Sequence, residues 1–181
     1  MTEKNSFKLF TLPQYEDHRG YFYESYSKNI ADSLEQSFVQ DNISFSKKGV
    51  LRGLHYQWQA PMGKLVQTIK GTIIDYIVNI QHGSKDYGKV QSFEISERNK
   101  NVLWIPPGFA HGFRALEDSY VLYKCTAYYN RNAEGAINFF DSDLNINADD
   151  EEGMIISEKD KNAQSFEEYT RNPKFMFEEI V

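Results

Sequence analysis

The chain has 181 residues, one ordinary domain with enough length to bury a real core, and the expectation is a single domain over 1–181. Its 26 acidic residues outnumber 20 Lys and Arg, leaving a net charge of −6, so a nucleic-acid backbone gains nothing from it and neither DNA nor RNA is an expected partner. No apolar run approaches a membrane span, the N-terminus lacks the apolar run of a signal peptide, and the lone Cys125 suits a reducing compartment; these features predict a cytoplasmic protein with no membrane partner.

Aromatic residues make up 15% of the chain, which favours strands, where rings pack on a pleated face. In chain order, residues 28–36 read as one short helix. His55 lies in an otherwise strand-like run. Residues 64–69 form a strand, and Lys70-Gly71 is a two-residue hairpin candidate joining it to residues 72–80. In that second strand, alternation puts Thr72, Ile74, Tyr76, Val78 and Ile80 on one face and Ile73, Asp75, Ile77 and Asn79 on the other. Further strands are expected at 89–95, 102–105, 113–116, 120–129 and 136–140. Short strands with turn signals between them predict an all-β sandwich or barrel with few helices. The more polar tail from about residue 142 is expected to wrap the surface, and Ser165-Phe-Glu-Glu168 fits a capping box.

Polar groups concentrate in five segments: 17–24, 40–44, 49–57, 105–113 and 123–129. Strands this apolar need no polar groups inside them, and an unpaired buried polar group is costly, so each requires a partner or a ligand. His55 and His111 are the histidines of interest, the latter after a Pro106-Pro107-Gly108 turn that marks a strand edge; His18 and His82 lie in turn-like contexts. Two histidines in a β-rich chain first suggest a metal site. The spacing disfavours it: His55 has no histidine within several residues, and Tyr56 and Gln57 are poor ligands. Tyr123, Cys125, Ala127 and Tyr129 share a face by alternation, as core packing or as a proton donor aimed into a barrel. Lys64 reads as a surface charge or as a partner for an oxyanion.

Together these segments resemble the dTDP-4-dehydrorhamnose 3,5-epimerase family, from about Phe7 to Asp160. The resemblance rests on an ordered set: Asp17-x-Arg-Gly-x-Phe-x-Glu24, Gln40-Asp-Asn, Leu51-Arg-Gly-Leu-His55, Gly63-Lys-Leu-Val, Gly108-Phe-Ala-His-Gly-Phe113, Tyr123-Lys-Cys-Thr and Ser157-Glu-Lys-Asp160. It implies a cupin-type jelly roll, a homodimer, no metal or organic cofactor, and a nucleotide-sugar substrate, a 4-keto-6-deoxyhexose on a dTDP-type carrier. It implies His55 as the base for the C3 and C5 protons, Asp160 as its carboxylate partner, Tyr123 as the acid and Lys64 beside the 4-keto oxygen. It also implies Arg19, Glu24, Gln40, Asn42, Arg52, His111, Tyr129, Glu134 and Lys159 around the nucleotide and sugar.

In a regular strand Arg52 and His55 point to opposite faces, so either a bulge at Gly53 re-aims one of them or Arg52 serves a site at the dimer interface; an irregularity near Gly53 is the expectation. The chain departs from the family pattern at Asn79, Gln81, Met62 and Asn147-Ala148, none of them a proposed base, acid or ketone-binding residue.

Overall fold

The computed structural model describes residues 6–147 and 153–177; residues 1–5 and Ala148, noted above, lie outside them. Strands β1 (Lys8–Thr11), β2 (Gln14–Asp17) and β3 (Gly20–Tyr23) precede helix α1 (Lys28–Ser33). Then come β4 (Gln40–Ser46), β5 (Val50–Gln57), β6 (Lys64–Lys70), β7 (Thr72–Asn79), β8 (Gln81–His82), β9 (Val90–Ser96), β10 (Asn101–Ile105), β11 (Phe109–Ala115) and β12 (Ser119–Cys125). The chain ends through β13 (Glu134–Ala136), β14 (Ile155–Ile156), α2 (Glu158–Lys161), α3 (Phe166–Arg171) and β15 (Phe175–Met176).

Two antiparallel sheets form the body, one ordered β1-β10-β6-β12-β4, the other β13-β5-β11-β7-β9 with β14 added in parallel to β5. This is the cupin-type jelly roll. Between the sheets lie Val66, Ile73, Ile77, Leu103, Phe109, Phe113 and Val121. Helix α1 and the N-terminal segment cover the part of the first sheet's outer face around Leu65, Val102 and Trp104. The outer face of the second is covered by Phe139, Leu144, Phe166 and Tyr169 from the C-terminal part. Each fully buried side chain of this size is worth about 1.5–3 kcal/mol relative to exposure. The expected alternation in β7 holds: Ile73 and Ile77 enter the inter-sheet core, whereas Tyr76, Val78 and Ile80 pack outward.

Several expectations need correction. Lys70-Gly71 is not a hairpin turn, because β6 and β7 belong to different sheets. Gly71 has φ +84° and abuts Ser119, where a Cβ would lie 2.4 Å from the hydroxyl oxygen, so the chain turns a corner from one sheet to the other. Helix α1 stops at Ser33, with Glu35 left-handed at φ 53°. The last strand of the first sheet ends at Cys125, so Tyr129 reaches its place through a loop and not by alternation. The strand expected at 136–140 spans Glu134–Ala136.

The tail does more than wrap the surface. Phe166 and Tyr169, three residues apart on α3, are buried, and the Tyr169 hydroxyl donates to the Ile80 carbonyl at 2.9 Å. The capping box of Ser165 and Glu168 starts that helix as expected.

The irregularity near Gly53 is present. β5 pairs with β11 as His55↔His111 and Arg52↔Phe113, so two residues of β5 oppose the single Gly112. Gly53 has φ +114°, the Gly53–Leu54 peptide is cis, and a Cβ on Gly53 would sit 2.4 Å from the Gly112 Cα. The bulge restores parity: Arg52 and His55 both face between the sheets.

Candidate active site

A cavity of about 310 Å³ opens between the sheets. Its second-sheet wall carries Arg52, His55, His111 and Phe113, and its first-sheet wall carries Ser44, Lys64, Val66, Val121 and Tyr123. Tyr129, Glu134 and Lys159 close one side. Eight of the residues named from sequence thus meet in one cavity, and a ninth, Asp160, stands directly behind it.

Asp160 arrives from the far end of the chain. Ile155 and Ile156 pair with Val50 and Leu51, laying the tail along β5, and Ser157 then caps α2 by accepting from the Asp160 backbone N–H at 3.1 Å. The Asp160 Oδ1 lies 2.6 Å from His55 Nε2, and Oδ2 accepts from the Gly53 N–H at 3.4 Å. Burial opposes ionisation of Asp160, but the hydrogen bond and charge of His55, followed by the Gly53 N–H, outweigh it and hold the carboxyl below its ordinary 3.8. An ionised Asp160 accepts the proton on Nε2, which leaves Nδ1 of His55 as the lone-pair nitrogen.

A second histidine–carboxylate pair lies beside the first. His111 Nδ1 sits 3.3 Å from both oxygens of Asp75, which is 0% exposed, and Lys64 Nζ lies 2.9 Å from His111 Nε2. An ammonium can donate to Nε2 only if the imidazole is neutral with its proton on Nδ1, facing Asp75. Burial, then the Lys64 charge, push the His111 pKa down, against the pull of Asp75, in agreement with that state. Burial likewise pushes Lys64 below the ordinary lysine value. Lys64 stands 5.9 Å from the centre of the Tyr123 ring, and burial raises the Tyr123 hydroxyl above 10, so it is a protonated donor at neutral pH.

Asp75 was not among the residues expected in the site, although its signal was present. A carboxylate in the middle of the most apolar strand demands a partner, and His111 on the neighbouring β11 is that partner.

On the remaining side, Glu134 accepts from the Tyr129 hydroxyl at 3.0 Å and from Lys159 Nζ at 2.5 Å. Burial opposes its ionisation, but these two bonds prevail and lower its pKa. Gln40 and Asn42 do not line the cavity; they are bonded to each other, and Gln40 also accepts from the backbone N–H of Tyr129, which does line it, at 3.0 Å. Arg19 and Glu24 are not brought to the cavity. Arg19 sits at the tip of the β2–β3 hairpin, its side chain 79% exposed and paired with Asp17, and Glu24 borders a groove beside α1. Lys100 anchors the hairpin base, its ammonium 4.1 and 4.8 Å over the rings of Tyr21 and Tyr23. Among the described residues, no group of three or more His, Cys, Asp or Glu gathers as metal ligands.

Known proteins share this chain's sequence and its fold. The model of the dTDP-4-dehydrorhamnose 3,5-epimerase family matches residues 2–168. The dTDP-4-dehydrorhamnose 3,5-epimerase of Methanothermobacter thermautotrophicus is 42% identical over 167 residues, covering 90% of this chain and 89% of its own. The crystal structure of dTDP-6-deoxy-D-glucose-3,5-epimerase from Legionella pneumophila, in complex with dTDP-4-keto-L-rhamnose, superposes with TM-score 0.91 at 39% identity, covering 96% and 94% of the two chains. That of the Bacillus anthracis dTDP-4-dehydrorhamnose 3,5-epimerase, with TDP and pyrophosphate bound, gives 0.84 at 34% identity, covering 91% and 97%. The fold and these relatives define an isomerase, an epimerase acting on carbohydrates. Within that class, the chain belongs to the dTDP-4-dehydrorhamnose 3,5-epimerase family.

Proposed function

We propose that the chain epimerises a dTDP-linked 4-keto-6-deoxyhexose at C3 and C5, the reaction of dTDP-L-rhamnose synthesis. One observation carries the catalytic assignment: His55, backed by Asp160 at 2.6 Å, shares a single cavity with Lys64 and Tyr123 from the facing sheet.

The chemistry follows from those positions. A proton on a carbon next to a ketone is weakly acidic, and its removal leaves an enolate. Nδ1 of His55 takes the proton as the C–H bond breaks and its electrons move to the ketone oxygen. Asp160 stabilises the imidazolium that results. The Lys64 ammonium stabilises the enolate oxygen, while neutral His111 and Asp75 hold that ammonium in place. When the enolate collapses to the ketone, the Tyr123 hydroxyl gives a proton to the carbon from the opposite face, which inverts it. The cycle runs once at C3 and once at C5, with proton exchange through water restoring both groups.

The anionic carrier needs cations that an acidic protein lacks overall. Arg52 and Lys159 supply two of them at the cavity. Arg19 and Glu24 act in this reading from a second copy, in a homodimer. Support comes from the apolar surface that one chain leaves uncovered: Ile43, Phe45, Ile69 and Tyr120 on the outer face of the first sheet, and Tyr15, Tyr21 and Phe22 on the hairpin. The lone buried Cys125 suits a reducing compartment, in keeping with a cytoplasmic enzyme.

Proton NMR of dTDP-4-keto-6-deoxyglucose incubated with the protein in heavy water tests the reading. Deuterium at both C3 and C5, with inversion of both, is expected. Deuterium at C3 alone would reduce the activity to a single epimerisation, and none at either carbon would remove the assignment.

A further inference from the structure

The inner face of β4 presents four polar side chains in alternation, Gln40, Asn42, Ser44 and Ser46, while Asp41, Ile43 and Phe45 face out. Three of the four are paired within the protein. Gln40 donates to Asn42 at 3.0 Å, Asn42 Nδ2 lies 3.5 Å from the Cys125 sulfur, and the Ser46 hydroxyl accepts from Arg52 Nε at 2.9 Å. Ser44 is the exception: its Oγ is buried and, among the described residues, has no hydrogen-bond partner. Its position is informative. Ser44 lies across from Val121, one alternation step from Tyr123, and borders the cavity with Arg52 and Lys64.

A buried hydroxyl without a partner destabilises the protein that carries it, and alanine at the same place would not. Ser44 lies in the middle of β4, where the pairing with β12 sets its Cβ toward the inner face. A second unpaired hydroxyl, Thr68 Oγ1, flanks Val121 on its other side but does not line the cavity, and so provides a matched control.

We propose that Ser44 is a substrate-contacting residue whose hydroxyl hydrogen-bonds an oxygen of the bound keto-hexose and holds the ring toward Tyr123. The proposal rests on the epimerase reading above. A hydroxyl can both donate and accept, so it serves a hydroxyl or a keto oxygen of the sugar, whereas the nucleoside diphosphate is met by the cations of the rim.

The test is Ser44→Ala, with Thr68→Val beside it. For Ser44→Ala, kcat/KM on dTDP-4-keto-6-deoxyglucose is expected to fall about 5- to 50-fold, as for one lost hydrogen bond to a ligand. Affinity for dTDP alone should be unchanged, and the melting temperature unchanged or higher. Thr68→Val should leave kcat/KM as it is. Wild-type kcat/KM in Ser44→Ala overturns the proposal, as does a lowered melting temperature with dTDP affinity falling in parallel, which would mark a structural role. If the wild-type protein itself fails to turn the substrate over, the epimerase reading fails first and takes the contact with it.

Discussion

Two segments lie outside the jelly roll, and they serve it differently. The C-terminal one binds to its own body: β14 pairs with β5, α3 buries Phe166 and Tyr169, and α2 delivers Asp160 to His55. Among the described residues, the strands of the N-terminal hairpin β2–β3 pair with each other, Lys100 holds its base, and Tyr15, Phe22 and Arg19 turn to solvent. The contrast indicates where each segment's partner is. An arm that buries its aromatics completes a site in its own chain. Under the proposed function, a hairpin that exposes them and carries Arg19 at its tip is read as completing a site in a second copy.

Breaking the C-terminal half of this contrast has the largest expected effect. Asp160→Asn keeps the shape but offers Nε2 the wrong partner, so kcat should fall about 10²–10⁴-fold with the fold retained, checked by steady-state kinetics and circular dichroism. The N-terminal half is sharpened by mixing chains. Arg19→Ala alone should raise KM about tenfold or more with kcat little changed, as a group that binds the carrier does. Mixed with inactive His55→Ala chains, it should regain wild-type KM in the mixed dimers, because one site then holds both an intact His55 and the partner's intact Arg19. No recovery would put Arg19 in its own chain's site or in none.

Gly53→Ala probes the bulge between the two walls. The added Cβ meets Gly112 at 2.4 Å in a left-handed backbone, so a loss of about 1–3 kcal/mol in denaturant unfolding is expected, with activity falling alongside.

The smallest effect concerns acid stability. Asp160 has a folded pKa below its ordinary 3.8, so in that interval the unfolded chain binds the extra proton. Its contribution is whole above about pH 4 and is lost as the pH falls through the folded value. In Asp160→Asn the stability curve should be shallower in that acid window; an unchanged slope would mean that the His55–Asp160 bond does not form in solution.

The sequence was legible where a local pattern decides the outcome. Alternation separated the two faces of β7, the Ser165 box marked the start of α3, and the parity conflict between Arg52 and His55 pointed to an irregularity near Gly53. It was not legible where two distant segments decide. Lys70-Gly71 reads as a hairpin because a glycine corner between sheets and a hairpin turn share the same local chemistry; only the pairing of β6 with β10 and β12, and of β7 with β9 and β11, tells them apart. The polar tail concealed Phe166 and Tyr169 as core residues for a similar reason. Motif resemblance named His55, Asp160, Tyr123 and Lys64, yet left out Asp75, whose partner lies 36 residues away. Ser44 escaped as well, since an unpaired hydroxyl is a property of packing.

The central claim is a base on one sheet and an acid on the facing one. It is tested most directly by proton exchange in heavy water with two variants, followed by NMR at C3 and C5. Tyr123→Phe should still exchange the α-protons through His55, with configuration retained at both carbons, whereas His55→Ala should neither exchange nor invert. Exchange at the wild-type rate in His55→Ala, or inversion by Tyr123→Phe, would contradict the account.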